Sequence, residues 1–196
     1  GDKARLEACA RELGLEQELA QMMEILPCGD VLTMEDEPTS VLREKGDSSM
    51  AVGLRALAEG KGDAFASAGN SGALVVGATM LVKRLRGVKR VAFAPIMPKS
   101  KGFFMLIDGG ANVDCRPEML LQFGVMGAAY MKSVMGVEHP RVALANVGEE
   151  AHKGDQLRQE ALALLKACPD IRFVGIVEAR EIPVDGADWV VPDGFT

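Results

Sequence analysis

Short apolar runs alternate with helical stretches along most of this chain, and nearly every run ends in a loop of small and polar residues. Ala64-Phe65-Ala66-Ser67 reads as a short strand. Gly69-Asn70-Ser71-Gly72 then turns sharply into a helix with Leu74, Val75, Ala78, Leu81, Val82 and Leu85 on its inner face. Val91 to Ile96 is a second strand, Pro98-Lys99-Ser100-Lys101-Gly102 turns it, and Phe103 to Ile107 returns antiparallel. Asp108-Gly109-Gly110-Ala111-Asn112 follows as a glycine-rich loop, and Pro117 opens an almost wholly apolar helix ending near Met135. Arg141 to Ala145 is a strand with the loop Asn146-Val147-Gly148-Glu149-Glu150. Asp155 caps a helix with Leu157, Ala161, Leu164 and Leu165 inward, and Arg172 to Val177 and Trp189 to Val191 are further strands. Strand and helix in alternation predict an α/β layered fold, and the hairpin makes its sheet mixed.

The first 60 residues are mostly helical. Asp2 caps a helix with Leu6, Cys9, Ala10 and Leu13 on one face and Gly14 as its stop. A short helix covers Leu15 to Met23, breakers interrupt residues 25 to 46, and Asp47 reads as the N-cap of a helix with Met50, Leu54, Leu57 and Ala58 inward and Gly60 at its end. Residues 1–196 are expected to form one α/β unit. Gly1-Asp2 resembles a strand-to-helix turn without its strand, and the chain stops in a loop where the alternation asks for a helix. The pattern is that of a chain lacking segments at both ends.

Composition narrows the function classes. A net charge of −6 leaves no cationic excess for neutralising phosphates, and 5% aromatics offer few stacking platforms, so a nucleic-acid partner is not expected. Cys9, Cys28, Cys115 and Cys168 are scattered, and His139 and His152 are the only histidines, so neither a metal site nor a cofactor is expected. The first residues do not read as a basic-then-apolar signal segment, no stretch reaches roughly 18 uninterrupted apolar residues, and free thiols suit a reducing cytosol. A cytoplasmic protein is the expectation.

Ligands of open α/β sheets gather beyond the carboxyl ends of strands. Ser67, Asn70 and Ser71 follow one strand here; Asp108, Asn112 and Asp114 another; Asn146, Glu149 and Glu150 a third; Glu178 and Asp193 the last two. The Asn70 turn offers amides and a helix N-terminus to an anion, although taken alone it is explained better by ordinary capping by Asn70 or Ser71. Arg43, Lys45, Ser48 and Ser49 suit phosphate or a phosphopantetheine arm, or else form a solvated loop. Lys83, Arg84, Arg86, Lys89 and Arg90 either satisfy a helix dipole or dock an acidic partner. Cys115, with no histidine nearby in sequence, reads as a small buried side chain rather than a nucleophile. The apolar helix with Met119, Met126, Met131 and Met135 belongs in a core or an interface.

Six blocks taken together resemble one family. They are Arg43-Glu44-Lys45 leading to Ser48-Ser49-Met50, then Ser67-Ala68-Gly69-Asn70-Ser71-Gly72-Ala73, then Asp108-Gly109-Gly110-Ala111-Asn112-Val113-Asp114. Asn146-Val147-Gly148-Glu149-Glu150 with Lys153-Gly154, Val177-Glu178-Ala179-Arg180 and Asp193-Gly194-Phe195-Thr196 complete the set. In that order and spacing they resemble the bacterial phosphate acyltransferases of phospholipid synthesis, the PlsX family. Members begin with a glycine-rich segment and continue past the last block, and Gly109 stands where they usually have valine.

The resemblance implies a three-layer α/β/α fold like that of isocitrate and isopropylmalate dehydrogenases and phosphotransacetylase, built in the complete protein from two intertwined subdomains that share a mixed sheet. It implies a homodimer that transfers an acyl group from acyl-[acyl carrier protein] to inorganic phosphate. The acyl phosphate would feed a membrane enzyme acylating glycerol 3-phosphate, with peripheral association at the inner face of the membrane. On this reading phosphate meets Asn70, Ser71 and Gly72 with Ser48 and Ser49 assisting. Asn112 or Asn146 donates to the oxyanion, Asp108 or Glu149 orients phosphate, Lys153 offsets charge, and Lys83, Arg84, Arg86, Lys89 and Arg90 dock the carrier protein. A phosphotransacetylase-like enzyme using acyl-CoA, or a non-enzymic scaffold of lipid synthesis, are the alternatives.

Overall fold

The structure is a computed structural model that describes residues 1–148, 153–184 and 186–194. It divides into two compact units, Gly1–Leu85 and Arg86–Thr196.

The first unit is helical: α1 (Lys3–Leu13), α2 (Glu16–Met22), α3 (Ser49–Ala58) and α4 (Ser71–Gly77), with a 3-10 turn at Pro38–Leu42 and a π turn at Ala78–Val82. Asp2 caps α1 as expected, its carboxylate accepting from the Arg5 amide, and Gly14 ends that helix with φ 68°. The cap of α3 is Ser48 rather than Asp47: the buried Ser48 hydroxyl accepts from the Ala51 amide at 3.4 Å. The Asp47 carboxylate instead accepts from the Gly29 amide at 2.7 Å and ties two loops together. Val41, Met50, Ala51, Leu54 and Ala73 form the core, so α4 buries Ala73 and Gly77 and leaves its larger side chains half-buried. The helical run ends at Lys83, whose φ is 74°, and Leu85, expected inside, is exposed. Residues 64–67 form no strand. A strand exists only by pairing, and the described residues of this unit offer one isolated bridge, Asp30 to Ser48.

The second unit carries the sheet. Its strands are β1 (Ile96–Pro98), β2 (Phe103–Leu106), β3 (Arg141–Ala145), β4 (Arg172–Val177) and β5 (Trp189–Val191), in spatial order β1-β2-β5-β3-β4. β1 and β2 are antiparallel and the other pairs parallel, which makes the sheet mixed as the hairpin predicted. The β1 ladder starts at Ile96, not Val91. The chain before it includes Pro95, which has no amide to donate, and meets its neighbours through single bonds: Leu106 donates to the Pro95 carbonyl and Gly109 to that of Phe93.

Register sorts the two sheet faces. Met105, Trp189 and Val142 stand abreast, and the next row is Leu106, Val190 and Ala143. The first row faces α5 (Pro117–Ser133) and α6 (Gln156–Ala167), whose Leu120, Phe123, Met131, Ala161, Leu162 and Leu165 complete the main core. The second row packs with Ala145, Val177 and Ala187 on the opposite face. One face of the apolar helix is therefore core, as expected, while Val125, Tyr130 and Val134 lie on its exposed side. Asp155 caps α6, accepting from the Arg158 amide at 2.9 Å.

Candidate functional site

In the first unit the residues singled out by sequence gather around two helix starts. Ser49, exposed in the first turn of α3, shares a cavity of about 320 Å³ with Ser67 and Gly69. Ser48 does not present its hydroxyl there, because that group is the buried cap. Asn70 is also committed. Its side-chain oxygen accepts from the Ala73 amide at 3.0 Å, and its nitrogen donates to the Thr33 and Asp36 carbonyls at 3.2 and 3.0 Å. Those bonds pin the 33–36 turn to the start of α4, so the Asn70 side chain shapes the bend rather than reaching a ligand. The 33–36 turn has a tie of its own. Asp36 accepts from the Thr33 amide and hydroxyl, and those bonds, with Lys45 nearby, hold its carboxyl below the usual range. The Ser71 and Gly72 amides have no acceptor among the described residues. Gly72 lies close to Pro38, and a side chain there would come within 2.9 Å of the proline ring.

In the second unit the loops after β2, β3 and β5 lie at the carboxyl end of the sheet. Asp108 is buried and organises the first of them. One carboxylate oxygen accepts from the Phe93 and Ala111 amides at 2.8 and 3.1 Å, the other from the Asn112 amide at 2.6 Å and side chain at 2.9 Å. Four donors saturate it. Asp108 is thus the keystone of the glycine loop and has no lone pair left for phosphate. Asn112 also gives its second side-chain proton to the Val91 carbonyl at 2.8 Å, so neither proton is left for an oxyanion.

Asn146 differs. It is 6% exposed at the end of β3, and its nitrogen donates to the Lys153 carbonyl at 3.0 Å. Its second amide proton has no acceptor among the described residues, and its carbonyl oxygen, against Gly154, has no donor there. Gly154 has φ 90°, and any side chain at that position would strike the Asn146 amide. Of the two asparagines proposed for the oxyanion, Asn146 alone keeps donating capacity. Lys153 is exposed beside it. Glu149 lies outside the described residues, as do Glu150 and His152.

Cys115 donates weakly to the Asn112 carbonyl at 3.6 Å. Burial pushes its thiol above the ordinary value; the Gly194 amide opposes this, and the charges of Asp108, Asp193 and Asp114 reinforce it. It is half-buried, where the sequence pattern predicts a fully buried side chain. Lys83 and Arg84 close the first unit, Arg86, Lys89 and Arg90 open the second, and all five are exposed. Gln122 of α5 holds the 87–89 turn, accepting from the Lys89 amide at 2.7 Å and donating to the Gly87 carbonyl at 2.9 Å. Sequence reasoning passed over Arg158. Its one signal was a cation three residues after the Asp155 cap, where the helix dipole opposes positive charge.

Residues 1–196 match the family described as "Fatty acid synthesis protein". A protein named phosphate acyltransferase from Alkaliphilus oremlandii is 46% identical over 176 residues, covering 90% of this chain and 52% of its own length. The phosphate acyltransferase of Clostridium kluyveri is 43% identical over 195 residues, 100% of this chain and 57% of that protein. The chain thus spans about half the length of the curated relatives it matches. Among solved structures, the EutD phosphotransacetylase from Staphylococcus aureus aligns over 99% of this chain and 68% of its own, with TM-score 0.66 and 19% identity. A phosphotransacetylase from Streptococcus pyogenes aligns over the same shares with TM-score 0.67 and 17% identity. These two likenesses are of fold, and the fold is the α/β class expected from the sequence.

Proposed function

The chain belongs to the fatty acid synthesis protein family, and on that premise we propose that it is part of a phosphate acyltransferase. The enzyme moves a fatty acyl group from acyl-[acyl carrier protein] to inorganic phosphate. The likeness to curated phosphate acyltransferases carries this reading. Phosphate oxygen attacks the thioester carbonyl, a tetrahedral oxyanion forms, and the carbon–sulfur bond breaks to give acyl phosphate and the carrier thiol. The protein's part is to hold the phosphate in line and meet the developing charge.

Roles follow the bonds each side chain has left. The Ser71 and Gly72 amides and the Ser49 hydroxyl take phosphate, and Asn70 and Ser48 keep those helix starts in shape. Asp108 and Asn112 set the glycine loop, Asn146 donates to the oxyanion, Glu149 orients phosphate, and Lys153 offsets charge. Asn146→Ala in the full-length protein should lower kcat by roughly 10²-fold, the effect of losing one oxyanion donor, with the phosphate KM little changed. An unaltered kcat in steady-state assays removes Asn146 from this role.

The acidic carrier protein docks on Lys83, Arg84, Arg86, Lys89 and Arg90. Reversing Lys83, Arg84 and Arg86 to Glu should raise the KM for acyl-[acyl carrier protein] by roughly 10-fold at low salt and spare that for phosphate. Equal KM values would place docking elsewhere. A homodimer, peripheral attachment at the membrane's inner face and delivery to a glycerol-phosphate acyltransferase complete the reading. No helix among the described residues is long and apolar enough to cross a membrane.

The deciding assay traps acyl phosphate as a hydroxamate, using the full-length protein with acyl-[acyl carrier protein] or acyl-CoA, each with and without phosphate. Phosphate-dependent product from the carrier substrate supports the proposal. Product from acyl-CoA alone points to a phosphotransacetylase-like enzyme, and no product from either points to a scaffold.

A further inference from the structure

Arg158 sits in the first turn of α6 with its side chain only 11% exposed. Its Nη1 reaches the Asp155 carboxylate at 2.7 Å, and its Nη2 reaches Asp193 at 3.2 Å. Asp193 follows β5, and its side chain is equally covered. The next residue, Gly194, donates its amide to the Asn112 carbonyl at 2.9 Å. A side chain at Gly194 would stand 2.9 Å from the Asn112 carbonyl carbon and closer still to its oxygen, so the two backbones lie in direct contact. Asn112 belongs to the loop built on Asp108. Since β5 lies between β2 and β3 in the sheet, one chain of bonds joins three adjacent loops: α6 and its cap, the β5 loop, and the glycine loop after β2.

Helix dipole and desolvation both disfavour a cation here. A buried guanidinium forked between carboxylates of two different loops fixes the distance between those loops in a way that a single backbone bond does not. We propose that Arg158 is a positioning residue for acyl transfer. Acting through Asp193 and Gly194, it holds the glycine loop in register with the Asn146 end of β3. The inference rests on the acyl-transfer reading above for its kinetic consequence, while the clamp itself concerns the loops alone.

The same two strands supply a control. At their opposite ends the guanidinium of Arg141, the first residue of β3, forks onto Asp188, just before β5, at 3.1 and 3.2 Å, and the Arg141 backbone amide donates to the same carboxylate at 2.8 Å. Burial raises the Asp188 carboxyl, but the Arg141 bonds and charge outweigh it and leave the group below the ordinary value. Arg141→Gln therefore breaks an ion pair between β3 and β5 without touching the carboxyl-end loops.

In the full-length protein, Arg158→Gln should lower kcat on the order of 10²-fold, as expected for a site displaced by about 1 Å, and leave the KM for carrier substrate nearly unchanged. Arg158→Lys, which keeps the charge but not the fork, should recover part of that loss. Arg141→Gln should leave kcat close to the parent. Amide hydrogen exchange supplies a readout independent of activity: Gly194 should exchange about 10-fold faster or more in Arg158→Gln and not in Arg141→Gln. Unchanged exchange at Gly194, or equal kcat losses in the two glutamine variants, overturns the clamp. A parent protein that yields no acyl phosphate sinks the acyl-transfer reading, and the exchange comparison still decides whether Arg158 aligns the loops.

Discussion

Replacing Asp108 with alanine should destabilise the second unit by about 4 kcal/mol, since four donors to one buried carboxylate lose their acceptor together. Each bond to an ionised acceptor contributes about 1.5–3 kcal/mol, and the four are not additive because they share one group. Three of the donors belong to residues 111 and 112 and the fourth to Phe93, so the loop and the segment before β1 loosen together. Asp108→Asn discriminates better. The shape is unchanged, but the amide has one oxygen where the carboxylate has two. Its nitrogen must then face either the amides of Phe93 and Ala111 or the two donors of Asn112. Donor meets donor in both orientations, so asparagine should recover less than half of the loss. Denaturant unfolding of the full-length protein gives the stability of both variants, and acyl phosphate formation gives their activity. If asparagine unfolds within about 1 kcal/mol of the parent, the carboxylate does not hold the loop as described.

Long apolar strands and capped helices were legible in the sequence because both signals are local. Arg141–Ala145, Arg172–Val177 and Trp189–Val191 form strands with the boundaries the sequence predicted, and Asp2 and Asp155 cap the helices they precede. The misreadings share a cause. Asp47 and Ser48 are both good caps by type, and only the bond from Gly29, 18 residues upstream, shows that Asp47 has other work. Residues 64–67 have the composition of a strand but no described neighbour to pair with. In the second unit the sequence located polar residues in carboxyl-end loops, while in the first no strand among the described residues precedes Asn70; in neither could it tell which polar atoms were already engaged. Asn70 is held by carbonyls 34 and 37 residues away, and Asp108 by an amide 15 residues back. Periodicity assigns a side chain to a face. It carries no information on the long-range bonds that separate a loop-builder such as Asp108 from a group with a hydrogen bond to give, such as Asn146.

Gly127→Ala offers a test in which two general rules give opposite signs. Gly127 lies mid-way along α5, where alanine favours the helix by about 0.8–1.0 kcal/mol over glycine, so propensity alone predicts a more stable protein. Packing predicts the reverse. A methyl group at 127 would fall 2.7 Å from Cδ1 and 3.0 Å from Cε2 of Trp189, and closer to Nε1. Trp189 is fully buried in the row it shares with Met105 and Val142, so the ring has nowhere to turn. The helix cannot back away cheaply either, because Gly124, one turn earlier, also lies close against α6, where an added Cβ would stand 2.9 Å from Cδ2 of Leu165. Overpacking of this kind costs about 1–3 kcal/mol, and the upper end applies where neither partner can yield, which leaves a net loss of about 2 kcal/mol. Denaturant unfolding followed by circular dichroism reports every corner of the cycle, including the variant that replaces Trp189, the one tryptophan of this chain. The indole nitrogen has no hydrogen-bond partner among the described residues, so Trp189→Phe removes bulk and an unmet donor together. Adding it to Gly127→Ala should restore much of the lost stability, a coupling of about 1 kcal/mol or more in a double-mutant cycle. An additive cycle, or a Gly127→Ala protein more stable than the parent, would mean that the close fit of α5 on β5 does not govern this core.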